Sequence, residues 1–222
     1  MTATKDPTQF LRPEASPGAI YREVIAHLAD IPGFFNEDDA MHFFLVLTMQ
    51  THMGLHGDML EIGSYHGRSS ALLAYCLQPS ERLVVSDVFE SEGDGRYTDK
   101  PTPDDLMRNI LRVVPSLDPA SLDIRSGLST SLRLEPEQRF RFAHIDGAHD
   151  ADTAHHDIAL ASRHMLAHGV IAIDDYHHPD WPGVTDAADR FLSENPDWHP
   201  IADMNRHIAK GRKLYLARTP NG

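Results

Sequence analysis

Two short stretches, FAHIDGAHD (142–150) and VIAIDDYHHPD (170–180), place Asp146, Asp174 and Asp175 directly after runs of apolar residues. A carboxylate at the mouth of a buried strand is costly unless it is paired or bound to a cation. Three that converge repel one another, and a hard divalent ion such as Mg²⁺, which takes oxygen ligands and keeps several waters, neutralises them economically. Asp146, Asp174 and Asp175 are therefore the candidate metal ligands. The alternative is that Asp146 and Asp175 cap helices or accept hydrogen bonds from loop amides. His149, His155, His156, His177 and His178 crowd the same stretches and invite a zinc or iron site. His155 and His156 are neighbours in a helical segment and point in different directions, and three convergent imidazoles are lacking, so those two read as surface histidines. His149 differs, since three residues beyond Asp146 it can reach a substrate bound there.

A second concentration of chemistry lies in LEIGSYHGRSS (60–70). Gly63 and Gly67 are four apart, so the GxGxxG dinucleotide fingerprint is absent, and Ser64, Tyr65 and His66 occupy the turn. Glu61 would repel a pyrophosphate but can accept hydrogen bonds from an amine or hydroxyl, which suggests a ligand with a positive or neutral polar head. A plain strand-to-helix turn is the competing reading. The second strand ends in SDVFE (86–90), where Asp87 stands at the carboxyl edge, the position at which acidic residues hold ribose hydroxyls in nucleoside-binding α/β proteins. It follows Gly63 by 24 residues, one strand–helix–strand passage.

These residues need strands that end together. Short apolar runs at 58–62, 82–86, 121–124, 141–145 and 170–174 alternate with amphipathic segments at 68–77, 104–114, 150–167 and 186–195, the pattern of parallel strands joined by crossover helices. The crossover around 126–136 has room for one or two helical turns. Segments 197–204 and 212–218 predict a terminal antiparallel hairpin at the sheet edge. The expected fold is an open, doubly wound α/β sheet of about seven strands, preceded by two helices separated near Pro32 and Gly33. The second of these is capped by Asn36, with Asp38 and Asp39 in its first turn, and the apolar face of Phe43, Phe44, Val46 and Leu47 is read as core. Residues 1–19 read as a flexible arm, 20–54 as a helical cap, 55–218 as the α/β core of one domain spanning 20–222, and 89–103 as a candidate lid, being longer than most compact connections.

Composition narrows the partners. The chain has 222 residues and a formal net charge of -13, which disfavours a nucleic-acid partner because backbone binding needs a positive surface. Its single cysteine, Cys76, cannot form an internal disulfide, and no apolar run reaches the ~18 residues of a membrane span. The polar, proline-containing start lacks the apolar stretch of a signal peptide, so a cytoplasmic location is expected.

LEIGSYHGRSS followed by SDVFE, AHIDGAHD and IAIDDY resembles the class I S-adenosylmethionine-dependent methyltransferases. The resemblance is nearest to their metal-dependent small-molecule O-methyltransferase branch, with antibiotic-sugar and catechol-type members, and covers about residues 55–218. It implies a Rossmann-like methyltransferase fold. The cofactor set would be Glu61, Gly63, Ser64, Tyr65, Gly67, Ser69, Asp87 and Asp146, with Ser126, Gly127 and Ser129 near the adenine. It also implies Mg²⁺ on the three aspartates, chelating two neighbouring acceptor oxygens, and a general base two or three residues after the first aspartate. Those positions hold Ala148 and His149, so His149 is the expected base, with an ordinary pKa near 6.5 suited to the task, and Asp150 the fallback. Tyr97, Tyr176, His177 and Trp181 are candidate acceptor contacts. The expected acceptor is a small hydroxylated molecule, a vicinal diol on a sugar or glycosylated secondary metabolite. Alternatives are a catechol-like phenol, a metal-dependent hydrolase, or a non-catalytic cofactor-binding partner subunit. Members of this branch commonly pair, so a homo-oligomer is a further expectation.

Overall fold

The computed structural model describes residues 17–89, 99–207 and 209–219. Residues 1–16 of the expected arm lie outside it, and Pro17 already opens a helix, so order begins before position 20. Residues 90–98 of the expected lid, with Arg96 and Tyr97, also lie outside the described residues.

Two helices come first, α1 (Pro17–Leu28) and α2 (Glu37–His52). Asn36 and Asp39 form a reciprocal capping box at the start of α2, with N–O distances of 3.0 and 3.1 Å, which satisfies two backbone donors that a helix start leaves open. The chain then alternates: β1 (Asp58–Ile62), α3 (Arg68–Tyr75), β2 (Leu83–Asp87), α4 (Pro103–Val113), β3 (Leu122–Ser126), β4 (Phe140–Ile145), α5 (Ala151–His164), β5 (Met165–Tyr176) and α6 (Pro182–Glu194). The hairpin β6 (Trp198–Met204) and β7 (Arg212–Arg218) ends it. Between β3 and β4 the chain makes only the 3-10 turn Ser129–Ser131, the short crossover that the sequence predicts.

The seven strands lie in the order β3-β2-β1-β4-β5-β7-β6. β1 to β5 are parallel, and β7 runs antiparallel between β5 and β6. Strand order reverses between β1 and β4, where open α/β sheets form a ligand crevice beyond their carboxyl ends.

Alternation along the strands builds two cores. Leu60, Ile62, Ala143, Ile145, Ile171, Ile173, Leu214 and Leu216 pack on the α5–α6 side. Met59, Phe142, Val170, Ala172 and Tyr215 face α1, α2, α3 and α4, where Phe43, Phe44 and Leu47 of α2 cover them. That second face is not wholly apolar. The fully buried Arg141 guanidinium makes a two-pronged pair with Glu81 at 2.8 and 2.9 Å and also donates to Gln50 of α2 and the Cys76 carbonyl. The pair ties α2 and the α3–β2 corner to β4. Breaking a buried pair by removing one partner costs about 3–5 kcal/mol. Glu81→Ala is therefore expected to lower the unfolding free energy by that order in urea denaturation; a loss well under 1 kcal/mol would contradict the assigned role.

Candidate active site

At the switch point β1 leads into Gly63 and β4 into Asp146. The Asp146 amide donates to the Ile62 carbonyl at 2.8 Å. Gly63 sits at φ +84°, and a Cβ there would collide with the Asp146 carbonyl oxygen, so only glycine permits this turn. Gly67 is equally constrained, at φ +86° against Leu106, and starts α3. Asp87, the last residue of β2, holds the intervening loop: its Oδ2 accepts from the backbone N–H of Ser64 (2.6 Å) and Tyr65 (2.9 Å) and from Ser64 Oγ (3.1 Å), and its Oδ1 accepts from Phe89 N–H (2.8 Å). A carboxylate has about four lone-pair sites, so this side chain is mainly occupied with shaping the loop and keeps room on Oδ1 for a further donor. Beside it Ser126 closes β3 in register with Asp87, followed by Gly127, where a side chain would meet open space.

Gly63, Ser64, Tyr65, Gly67, Asp87, Ser126 and Gly127 thus share one end of the sheet. Ser69 is buried in the first turn of α3. Ser129 lies one turn further on, its hydroxyl against the buried Asp157 carboxyl, whose pKa is raised chiefly by burial. Glu61 departs from expectation. It is fully buried, and its two oxygens are engaged by Ser70 Oγ and by His144 Nδ1 at 2.9 Å. Its carboxylate belongs to an internal network and does not open onto the loop.

That network continues across the sheet. His144 Nε2 lies 3.2 Å from Lys213 Nζ, and Lys213 Nζ lies 2.7 Å from Asp174 Oδ2. Because an ammonium only donates, His144 accepts at Nε2 and donates at Nδ1 to Glu61, the neutral tautomer. Arg206, from the β6–β7 connection, places Nη1 2.6 Å from Asp174 Oδ1 and Nη2 3.3 Å from Asp175 Oδ1. Asp174 Oδ1 also accepts the Asp175 amide at 2.7 Å. Asp39 of α2 completes the cluster, 3.4 Å from Arg206 and 3.5 Å from Lys213. Lys213 is fully buried, with its ammonium 5.0 Å from the centre of the Phe43 ring and 5.4 Å from that of Phe35.

The carboxylates consequently diverge in character. Burial alone would raise the Asp174 pKa, but the Lys213 ammonium and the Arg206 guanidinium outweigh it and hold the group well below the ordinary carboxylate range. Asp146 has no contacting cation among the described residues; burial first, then repulsion from Asp174 and Asp175, outweighs the more distant Lys213 and Arg206 and pushes its pKa well above that range. For Lys213, burial favours the neutral amine, yet Asp174, Asp39 and Asp146 prevail and the ammonium is stabilised.

His149 leaves the loop after β4 and stands with Nε2 3.4 Å from Asp175 Oδ2. Its ring stacks on Trp181 at a centroid separation of 4.0 Å, and His178 stacks on Trp181 at 4.0 Å as well. Gly183 lets α6 approach this loop, since a Cβ there would come within 2.5 Å of the His149 carbonyl. Asp146, Gly147, Ala148, His149, Asp174 and Asp175 border a cavity of about 10 Å³, room for about one water.

The expected magnesium set fails a test of its donors. Asp174 has both oxygens committed to Lys213, Arg206 and a backbone amide, so an ion could use it only by displacing a cation. Asp146, His149 and Asp175 do offer ligand atoms within 4.8 Å of one another, but one imidazole with two carboxylates is a mixed set suited to transition metals more than to Mg²⁺. Asp150 is corrected too. It caps α5, accepting from Thr153 N–H at 2.9 Å, and this hydrogen bond foremost lowers its pKa, which makes it a poor base. Tyr176 donates to Asp189 at 2.9 Å, and the His177 amide donates to Thr185. Both lie past Asp175, but these contacts face α6, whereas Trp181 supports His149 directly. Lys213, Arg206, His144 and Asp39 were not among the residues singled out as chemical from sequence, although the alternation Lys213, Tyr215 against Leu214, Leu216 places Lys213 on an inner face.

A seven-stranded sheet of this order, with β7 reversed between β5 and β6, is the Rossmann-like methyltransferase fold. A methyltransferase-domain family model matches residues 60–176, more than half of the chain, and the chain belongs to that family. Similar solved structures include the O-methyltransferase NovP, with a TM-score of 0.68 and 18% identity over 96% of this chain and 100% of that one. They include CalS11, a TDP-rhamnose 3'-O-methyltransferase of calicheamicin biosynthesis, with a TM-score of 0.59 and 16% identity over 96% and 100%. TomG from Streptomyces achromogenes, an O-methyltransferase involved in tomaymycin synthesis and solved with S-adenosylmethionine, has a TM-score of 0.60 and 15% identity over 90% and 89%. No curated protein matches the chain at a significant level. Among the described residues no helix is long and apolar enough to cross a membrane.

Two stability outcomes separate these roles. Asp174→Ala strands two buried cations and is expected to cost about 3–5 kcal/mol in denaturation of the metal-free protein. A residue serving only as a metal ligand would leave that stability unchanged or raised. Asp150→Ala should cost about 1 kcal/mol, the worth of a helix cap, and leave the pH–rate profile in place; a displaced profile would return the base role to Asp150.

Proposed function

We propose that the protein transfers a methyl group from S-adenosylmethionine to a hydroxyl of a small molecule, with His149 as general base. The observation that carries this reading is the placement of His149 at the crevice, 3.4 Å from Asp175 and stacked on Trp181. Both contacts restrict the ring and leave Nδ1 to accept a proton, as a general base needs. Bound S-adenosylmethionine supplies an electrophilic methyl on a cationic sulfur. The Gly63–Gly67 turn, shaped by Asp87, would receive its methionine and ribose, and Ser126 and Gly127 would lie along the adenosine. With the cofactor held there, its methyl carbon would be open to bond formation by the acceptor oxygen, the carbon–sulfur electron pair returning to sulfur. His149 takes the hydroxyl proton, and Asp175 steadies the resulting imidazolium. Charge is lost as sulfonium and alkoxide react, so a crevice that excludes water favours the transition state.

The acceptor we favour is a hydroxyl on a sugar or glycosylated secondary metabolite. CalS11 is described as acting on TDP-rhamnose and TomG as serving tomaymycin synthesis, and the acidic chain suits a neutral or cationic acceptor better than a nucleic acid.

His149→Ala is expected to lower kcat by about 10²–10⁴-fold, the usual worth of a positioned base. S-adenosylhomocysteine affinity measured by calorimetry should stay within a few-fold. An unchanged rate would remove His149 from the reaction, and absence of any S-adenosylhomocysteine binding would remove the cofactor reading itself.

A further inference from the structure

We propose that Lys213 and Arg206 serve this carboxylate cluster as its counter-ions in place of a divalent metal, so that methyl transfer proceeds without one. The inference rests on the methyltransferase reading and goes beyond it. Four carboxylates, Asp39, Asp146, Asp174 and Asp175, meet where β4 and β5 end beneath α2. Two permanent positive charges are built into the same place. Lys213 Nζ contacts Asp174 at 2.7 Å and Asp39 at 3.5 Å, while Arg206 spans Asp174, Asp175 and Asp39 at 2.6, 3.3 and 3.4 Å. Together they supply the charge a divalent ion would bring.

Their setting shows that these cations are not surface side chains leaning inward. Lys213 is fully buried among Phe35, Phe43 and His144, and Arg206 is 9% exposed. Gly211 is required for the approach of the Arg206 segment, because a Cβ there would lie 2.8 Å from Asp175 Cα and Oδ1. A metal using Asp174 would have to displace an ammonium or a guanidinium. One placed beside them would meet two like charges within a few ångströms and be repelled by both in a partly buried site. Both residues are positioning residues: neither needs to touch the acceptor, and each acts by fixing Asp174 and Asp175, the latter being the partner of His149.

Mn²⁺ binding gives a readout independent of turnover. The purified full chain, saturated with S-adenosylhomocysteine, is titrated with Mn²⁺ and the free-ion signal followed by electron paramagnetic resonance. Wild type is expected to show no saturable site at millimolar Mn²⁺. Arg206→Met and Lys213→Met, which release an oxygen of Asp174, should each acquire one that saturates at least ten-fold below the highest Mn²⁺ concentration at which wild type shows none, whereas Arg206→Lys, which keeps the charge, should not. Saturable binding to wild type that Asp146→Asn abolishes would overturn the inference while leaving the methyltransferase reading intact. Failure to bind S-adenosylhomocysteine would instead defeat that reading. Should the methionine variants not fold, the wild-type titration decides alone. A scan for acceptors run with EDTA gives the catalytic counterpart: turnover that persists supports the proposal, and turnover lost to EDTA and restored by Mg²⁺, Mn²⁺ or Zn²⁺ overturns it.

Discussion

A carboxylate closed off from water must find positive charge nearby or give up its own, and Asp174 is the residue on which that constraint falls. It ends the apolar run of β5, with 7% of its surface exposed, at the level of the sheet where ligands bind. The structure resolves the problem with two cations from the last part of the chain, Lys213 near the start of β7 and Arg206 before it. The C-terminal hairpin is therefore more than an edge to the sheet. Inserting β7 beside β5 delivers the charge that allows a carboxylate to stand at the floor of the crevice.

The consequence spreads sideways. Through His144 the same ammonium is linked to Glu61 on β1, and through Arg206 and Asp39 to the first turn of α2, so four strands and a helix share one polar row. Above that row the remaining groups are free to differ. Asp175 meets both Arg206 and His149; Asp146, with no contacting cation among the described residues, is driven towards its neutral form. The Gly63–Gly67 loop is shaped separately by Asp87 and is fixed to the row where Gly63 passes the Asp146 backbone. Two carboxylates given opposite protonation preferences at one strand edge, beside an oriented histidine, make an arrangement suited to proton removal more than to a symmetric ion cage.

Much of this was legible in the chain. Apolar runs of four to six residues alternating with amphipathic helices placed β1 to β4 and α3 to α6 within a few residues, because burial on both faces of a parallel sheet leaves a plain signature. The glycine turn and the acidic strand ends could be read for the same reason, since a ligand crevice at a switch point needs them. What could not be read was the identity of the partners. Glu61 and Asp174 have the same sequence character as open carboxylates, and only the pairing of β1 with β4 and of β5 with β7 shows that a histidine and a lysine already engage them. Arg206 comes from a polar connection with no periodicity to mark it as inward-facing. A buried lysine in RKLYLAR was available as a clue, because alternation puts Lys213 on the face of Tyr215, yet a lone lysine in an edge-type hairpin reads first as solvated.

The central claim is that Asp174 is neutralised by protein cations and that the site is organised around that pairing. A crystal structure of the S-adenosylhomocysteine complex grown in Mn²⁺, with anomalous data collected at the manganese edge, tests it most directly. The account predicts Lys213 Nζ and the Arg206 guanidinium within hydrogen-bond distance of Asp174 and no anomalous peak beside it. A manganese peak bridging Asp146, Asp174 and Asp175, with the two cations turned away, would contradict it.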